Sequence, residues 1–211
     1  MFVQEMTYPE GTRVLVWRLD EGAQQLLALC REAGIAADDL IELPEKRQRE
    51  KAAECLLLHH AMGGPVTLSH DPQGAPSVTV LAINVSITHT PHLVAVAINE
   101  QHVIGLDAEQ MDRRQVLRVR DKFLNDNEKR FIPADHLPAH IIAWTAKEAI
   151  IKAERDSSLD WTDGITLEPF AVNDPWPDEI SLVAHCRGRR YRLMVQTVED
   201  HVMTVACAPV D

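Results

Sequence analysis

Two short segments, 39 positions apart, constrain this chain more than any other part of it. The first is Gly105-Leu106-Asp107-Ala108-Glu109, which reads as a strand carrying two acids. The second is Trp144-Thr145-Ala146-Lys147-Glu148-Ala149-Ile150-Ile151-Lys152, which reads as a helix carrying a third acid and two lysines. In a strand, residues two apart share a face, so Gly105, Asp107 and Glu109 point one way and Leu106 and Ala108 the other. At 100° per residue, Trp144, Glu148, Lys152 and Arg155 fall within an arc of about 80°. Ala143, Ala146, Ala149, Ile150 and Ala153 take the opposite side of the helix. One element thus offers a carboxylate face, and the other a small-residue face to bury and a polar stripe to present.

Like charges as close as Asp107 and Glu109 repel unless one is protonated or a cation sits between them. Joined by Glu148, they make an oxygen-only donor set, which suits Mg²⁺ or Mn²⁺ and suits zinc poorly. The lysines then mark a place for phosphate. Gly105, lacking a side chain, is expected to leave room for a ligand on the acidic face. Taken singly, each segment also fits a plainer reading. Asp-x-Glu is what a solvated strand end looks like, and Glu148–Lys152 is an ordinary surface pair. Trp144 on the polar stripe argues for a covered or ligand-facing surface.

The rest of the chain bounds the answer. Its 211 residues suffice for one large domain or two small ones. No apolar run approaches the roughly 20 residues that span a bilayer, and the N-terminus lacks the basic and apolar regions of a secretion signal. The four cysteines, Cys30, Cys55, Cys186 and Cys207, are scattered without metal-ligand spacing. They read as reduced thiols in a cytoplasmic protein. A net charge of −11 disfavours general affinity for nucleic acid or anionic membrane. Attraction for a phosphate ester must then come from local basic runs, of which Lys46 to Lys51 and Arg113 to Lys122 are candidates.

The pattern predicts a strand over 14–19, helices over 21–33 and 44–62, and strands over 66–69, 84–88 and 93–99. A second half follows, with a strand over 103–109, helices over 113–123, 126–131 and 139–154, and strands over 165–168, 181–186, 191–197 and 201–208. Pro138 is expected to keep His136 and His140 off a regular helix. The turn-like residues 99–102 form the most plausible seam. The fold class is α+β, with lobes over 1–100 and 101–211.

Together, GLDAE and WTAKEAIIK resemble the signature of the 4′-phosphopantetheinyl transferase superfamily, which is Gly-x-Asp-x-Glu on a strand and aromatic-x-x-Lys-Glu-(Ala/Ser)-x-x-Lys on a helix some forty residues later. Ser86-Ile87-Thr88-His89-Thr90 is similar to the upstream Ser-His-(Ser/Thr) of the larger, two-lobed type. Lys46-Arg47-Gln48-Arg49-Glu50 is similar to its first-lobe arginines. Two positions depart from the family: Ala75 stands where a lysine is usual, and Cys55 near where a further arginine is usual.

The resemblance implies two similar α/β lobes with the active site at their interface, complete in a monomer. It implies transfer of the 4′-phosphopantetheine arm of coenzyme A to a serine of an apo acyl or peptidyl carrier protein, releasing 3′,5′-ADP. Asp107, Glu109 and Glu148 would hold Mg²⁺ (or Mn²⁺), Glu148 would take the serine proton, and Lys152 would stabilise the leaving phosphate. Arg47, Arg49 and His89 would bind the 3′-phosphate of coenzyme A, with Lys147 on the pyrophosphate. Strict alternation along the strand makes His89 a buried residue, but it stands at the strand end before Pro91, where alternation breaks. The basic residues Arg114, Arg118 and Lys122, beside an apolar stripe of Val116, Val119 and Phe123, are expected to form a helix that docks the carrier. The alternatives are a Mg²⁺-dependent phosphoester hydrolase and a transferase-like binding module without turnover.

Overall fold

The computed structural model describes residues 2–66, 68–70, 76–78, 83–172, 176 and 178–208. Gly74 and Ala75, where the family's lysine is missing, lie outside the described residues. The chain divides into two compact units, Met1–Glu100 and Gln101–Asp211.

In the first unit, strands β1 (Phe2–Thr7), β2 (Arg13–Arg18), β5 (Asn84–His89) and β6 (Leu93–Asn99) form an antiparallel sheet in the order β1-β2-β6-β5. Strand β1 is absent from the sequence expectation, because its residues alternate too weakly to register. Strands β3 (Leu68–His70) and β4 (Pro76–Val78) make a separate hairpin. Helices α1 (Ala23–Glu32) and α2 (Glu45–Met62) pack on each other and α2 lies on β6 and β2. Burial at Ala52, Ala53, Leu56 and Leu57 repeats with helical period, so α2 shows one apolar face to Leu15, Trp17, Val94 and Val96. Gly63 ends α2 in the left-handed region, which glycine enters without steric cost.

In the second unit, strands β7 (Ile104–Gln110), β8 (Ile165–Leu167), β9 (Glu179–Cys186), β10 (Arg189–Val198) and β11 (His201–Cys207) form an antiparallel sheet in the order β7-β11-β10-β9-β8. Short helices α3 (Gln115–Arg118) and α4 (Glu128–Phe131) lead to the long helix α5 (Leu137–Glu154). Helix α5 lies along β7 and β11. The basic segment expected as one helix over 113–123 is instead α3 followed by a 3₁₀ turn at Arg120–Lys122. Its apolar residues are drawn inward: Val116 and Phe123 are buried in the unit's core.

Helix α5 starts earlier than expected. Pro138 sits in its first turn, where no intrahelical N–H is needed. His136 caps the helix by accepting from the Ala139 amide at 3.2 Å through Nδ1. The small-residue face behaves as expected, with Ala143, Ala146, Ala149, Ile150 and Ala153 buried.

Candidate functional site

The close approach of α5 to β7 depends on Gly105. A Cβ built there would lie 1.7 Å from the Ala149 carbonyl oxygen and 2.8 Å from the Ala153 amide nitrogen. The expectation that Gly105 opens space for a ligand is therefore corrected: the space is filled by the backbone of α5. The consequence for chemistry is larger. Because the backbones nearly touch, the strand's acids two and four residues on come within reach of the helix's polar stripe.

Lys152 shows this directly. Its Nζ donates to the Asp107 carboxylate (Oδ1) at 2.8 Å and to the Leu106 carbonyl at 2.8 Å. Asp107 is buried, and Glu148, one turn before Lys152, is partly buried. Burial raises the Glu148 pKa above the ordinary carboxylate value, and the neighbouring Asp107 charge raises it further. Lys152 and Arg113 act in the opposite direction. Arg113 also pairs with Glu109 and lies 5.4 Å from the Trp144 ring centroid, a cation–π distance. Asp107, Glu109, Glu148 and Lys152 thus belong to one electrostatic cluster, and Arg113 joins it.

Among the described residues, no group of three or more acidic, histidine or cysteine side chains is drawn together so as to hold a metal ion. The positive charge that the acids require is supplied by Lys152 and Arg113. The chemistry of the donor set fits Mg²⁺ nonetheless: all candidate ligands are carboxylate oxygens, and the Glu148 carboxyl carries an electrostatic penalty that a cation would relieve.

Lys147 departs from its expected role on the pyrophosphate. It is fully buried, and its three ammonium donors go to Glu128 Oε2 at 2.7 Å, the Trp161 carbonyl at 2.6 Å and the Ile165 carbonyl at 3.0 Å. None remains for a phosphate. Glu128, also fully buried, accepts from the amides of Asn125 and Leu167, both at 2.9 Å. This knot ties α5 to the loop before β8 and to the segment before α4. Burial pulls the Lys147 pKa down, and Glu128 opposes that shift. The sequence puts Lys147 about 100° round the helix from Glu148. That angle turns it into the core, a consequence only visible once the 160s loop covers it.

Beside the acidic cluster lies a cavity of about 400 Å³, lined by Arg113, Val119, Lys122, Phe123, Trp144 and Trp161 among others. Trp144 and Trp161 lie 4.7 Å apart between centroids with their rings tilted by 39°, and Phe123 meets both edge-on. Sequence reasoning named Trp144 but missed Trp161 and the individual role of Arg113. Arg113 had one usable cue, its place four residues after Glu109.

In the first unit, His89 stands half-exposed at the end of β5 rather than buried, as the break in alternation suggested. Its Nε2 lies 3.0 Å from Arg47 Nη1. Arginine can only donate, so Nε2 accepts. Arg49 is not with them. Its guanidinium donates to the Leu19 carbonyl at 2.5 Å and the Glu21 carbonyl at 2.9 Å, bracing the turn between β2 and α1. Its expected contact with phosphate is corrected accordingly: two positions apart on α2, Arg47 and Arg49 point to different sides.

A search of curated proteins finds no match to the chain. Residues 103–206, which span the acidic strand, α5 and nearly all of the five-stranded sheet, match the family model of the 4′-phosphopantetheinyl transferase superfamily. Through this segment the chain belongs to that superfamily. Transfer of a phosphopantetheinyl group is the activity this membership supports.

Proposed function

We propose that this protein transfers the 4′-phosphopantetheine group of coenzyme A to a serine of an apo acyl or peptidyl carrier protein in a Mg²⁺-dependent reaction. The observation that carries the reading is the meeting of Asp107, Glu148 and Lys152, forced by the contact of Gly105 with the backbone of α5. The serine Oγ forms a bond to the pyrophosphate phosphorus that bears the pantetheine arm. The bond from that phosphorus to the bridging oxygen breaks, and 3′,5′-ADP leaves.

Asp107, Glu109 and Glu148 would hold the cation, which, when bound, offsets charge on the pyrophosphate and acidifies a coordinated water. Glu148 takes the serine proton, directly or through water; a carboxylate with a raised pKa is a better base than an ordinary one. Lys152, already directed at Asp107, stabilises the departing phosphate. Arg47 and His89 bind the 3′-phosphate of coenzyme A. The aromatic cavity beside Trp144 suits the uncharged arm, and the basic residues at its rim suit an acidic carrier. The site works within one chain, in a protein that acts in the cytoplasm. Among the described residues, no helix is long and apolar enough to cross a membrane.

The test is to mix the protein with coenzyme A, Mg²⁺ and an apo carrier and weigh the carrier. A gain of one phosphopantetheine is expected, abolished by chelation and by Asp107→Ala. An unchanged carrier mass across fatty-acid, polyketide and peptide-synthetase carriers refutes the reading. Release of 3′,5′-ADP without any carrier would instead favour a hydrolase.

A further inference from the structure

The first unit contains a buried acid that the proposed reaction does not use. Glu50 lies one turn from Arg47 on α2 and has a side chain only 3% exposed. Three basic groups converge on its two oxygens. Arg47 Nη1 lies 2.6 Å from Oε2, His89 Nε2 lies 3.7 Å from the same oxygen, and Lys46 Nζ lies 3.7 Å from Oε1. Arg47 and His89 are themselves 3.0 Å apart. The acid is buried, whereas the three bases reach solvent, with side chains 45%, 40% and 72% exposed for Arg47, His89 and Lys46.

This arrangement does physical work. An exposed arginine or lysine explores many rotamers, and fixing it on a ligand costs entropy. A buried carboxylate is held by its packing and gives Arg47 one preferred position. Only Nη1 of Arg47 enters the contacts described, so the remaining donors of its guanidinium are left for a ligand. Two cations, Arg47 and Lys46, together with the imidazole of His89, all reaching solvent, match the oxygens of a phosphomonoester dianion.

We propose that Glu50 is the positioning residue of the 3′-phosphate site, and that Lys46, in place of Arg49, is the third basic group of that site. The proposal rests on the coenzyme A reading given above. It accounts for how a chain with Cys55 near the family's arginine position still presents a triad. Specificity for a 3′-phosphorylated nucleotide then comes from how Arg47, His89 and Lys46 are held, and not only from their charge.

The experiment compares binding of coenzyme A and 3′-dephospho-coenzyme A by titration calorimetry. The wild type is expected to prefer coenzyme A by about tenfold or more, the scale of charge-assisted hydrogen bonds to one phosphate. Glu50→Gln, similar in shape but uncharged, is expected to bring that ratio to within about threefold while leaving dephospho-coenzyme A affinity unchanged. Lys46→Ala is expected to lower the ratio several-fold, and Arg49→Ala to leave it unchanged. Because Glu50 acts through Arg47, the Arg47→Ala/Glu50→Gln double variant should show the ratio of Arg47→Ala alone. Glu50→Asp keeps the charge but draws it back by one methylene; it serves if the glutamine variant does not fold, and its ratio should also drop.

A wild-type ratio in Glu50→Gln or Glu50→Asp overturns the proposal, as does full additivity with Arg47→Ala. A wild type that binds both ligands equally overturns the 3′-phosphate site but leaves the transferase reading standing. A wild type that binds neither overturns both.

Discussion

Gly105→Ala is the sharpest perturbation the structure offers. The new Cβ would stand 1.7 Å from the Ala149 carbonyl oxygen, whereas real contacts of this kind lie at 3.0 Å or more. Its neighbours are backbone atoms of α5, so no side chain can swing aside. Strand β7 and helix α5 must therefore part by about 1.3 Å along that direction. Overpacking a rigid core by one methyl group costs about 3 kcal/mol when the surroundings are backbone. For a unit of this size, that corresponds to a urea midpoint lower by about 1 M or more. The same displacement draws Asp107 away from Lys152 and Glu148. A misplacement of about 1 Å in a catalytic constellation costs about 100-fold in rate. The assays are urea unfolding of the purified variant and carrier modification followed by mass. A variant with the wild-type midpoint and wild-type turnover would refute the argument that the strand–helix contact sets the site. A lowered midpoint with wild-type turnover would refute only the link from contact to chemistry.

Other outcomes follow from the same geometry. Lys147→Met strands Glu128 as an unpaired buried carboxylate and should cost about 3–5 kcal/mol in unfolding free energy; a loss below about 1 kcal/mol would contradict the buried pair. Burial and Asp107 hold the folded-state pKa of Glu148 above its unfolded value near 4.5, so the native state keeps a proton in the window just above that value. The stability this group contributes is full below the window and is lost as pH rises through it. Glu148→Gln should therefore gain on the wild type as pH rises above that value in chelator-treated buffer, and a difference that stays flat with pH would rule out the effect. Charge reversal at Arg114 and Arg118, both exposed, should raise the apparent KM for the carrier without changing that for coenzyme A. An unchanged carrier KM would remove this surface from the docking site.

Much of this protein was legible one segment at a time. Local periodicity is enough to define α2 and α5, because each buries a face of alanine and leucine or isoleucine, and enough to define the paired strands from β5 onward. The spacing of GLDAE and WTAKEAIIK carried the family and named Asp107, Glu109, Glu148 and Lys152. Which of these residues share a face needs only the covalent geometry of a strand and a helix; the family and the roles rest on the resemblance of the motif.

What tertiary structure decided is which charged side chains are spent inside the core and which are not. Lys147 and Lys152 belong to the same motif, yet one is spent on Glu128 and two carbonyls and the other reaches Asp107. Arg47 and Arg49 divide in the same way, between His89 and the carbonyls of a turn. Packing encloses the acids Glu50 and Glu128. Gly105 looked like space for a ligand until the backbone of α5 filled it. Burial of a charge depends on what distant segments cover it, and no local pattern records that.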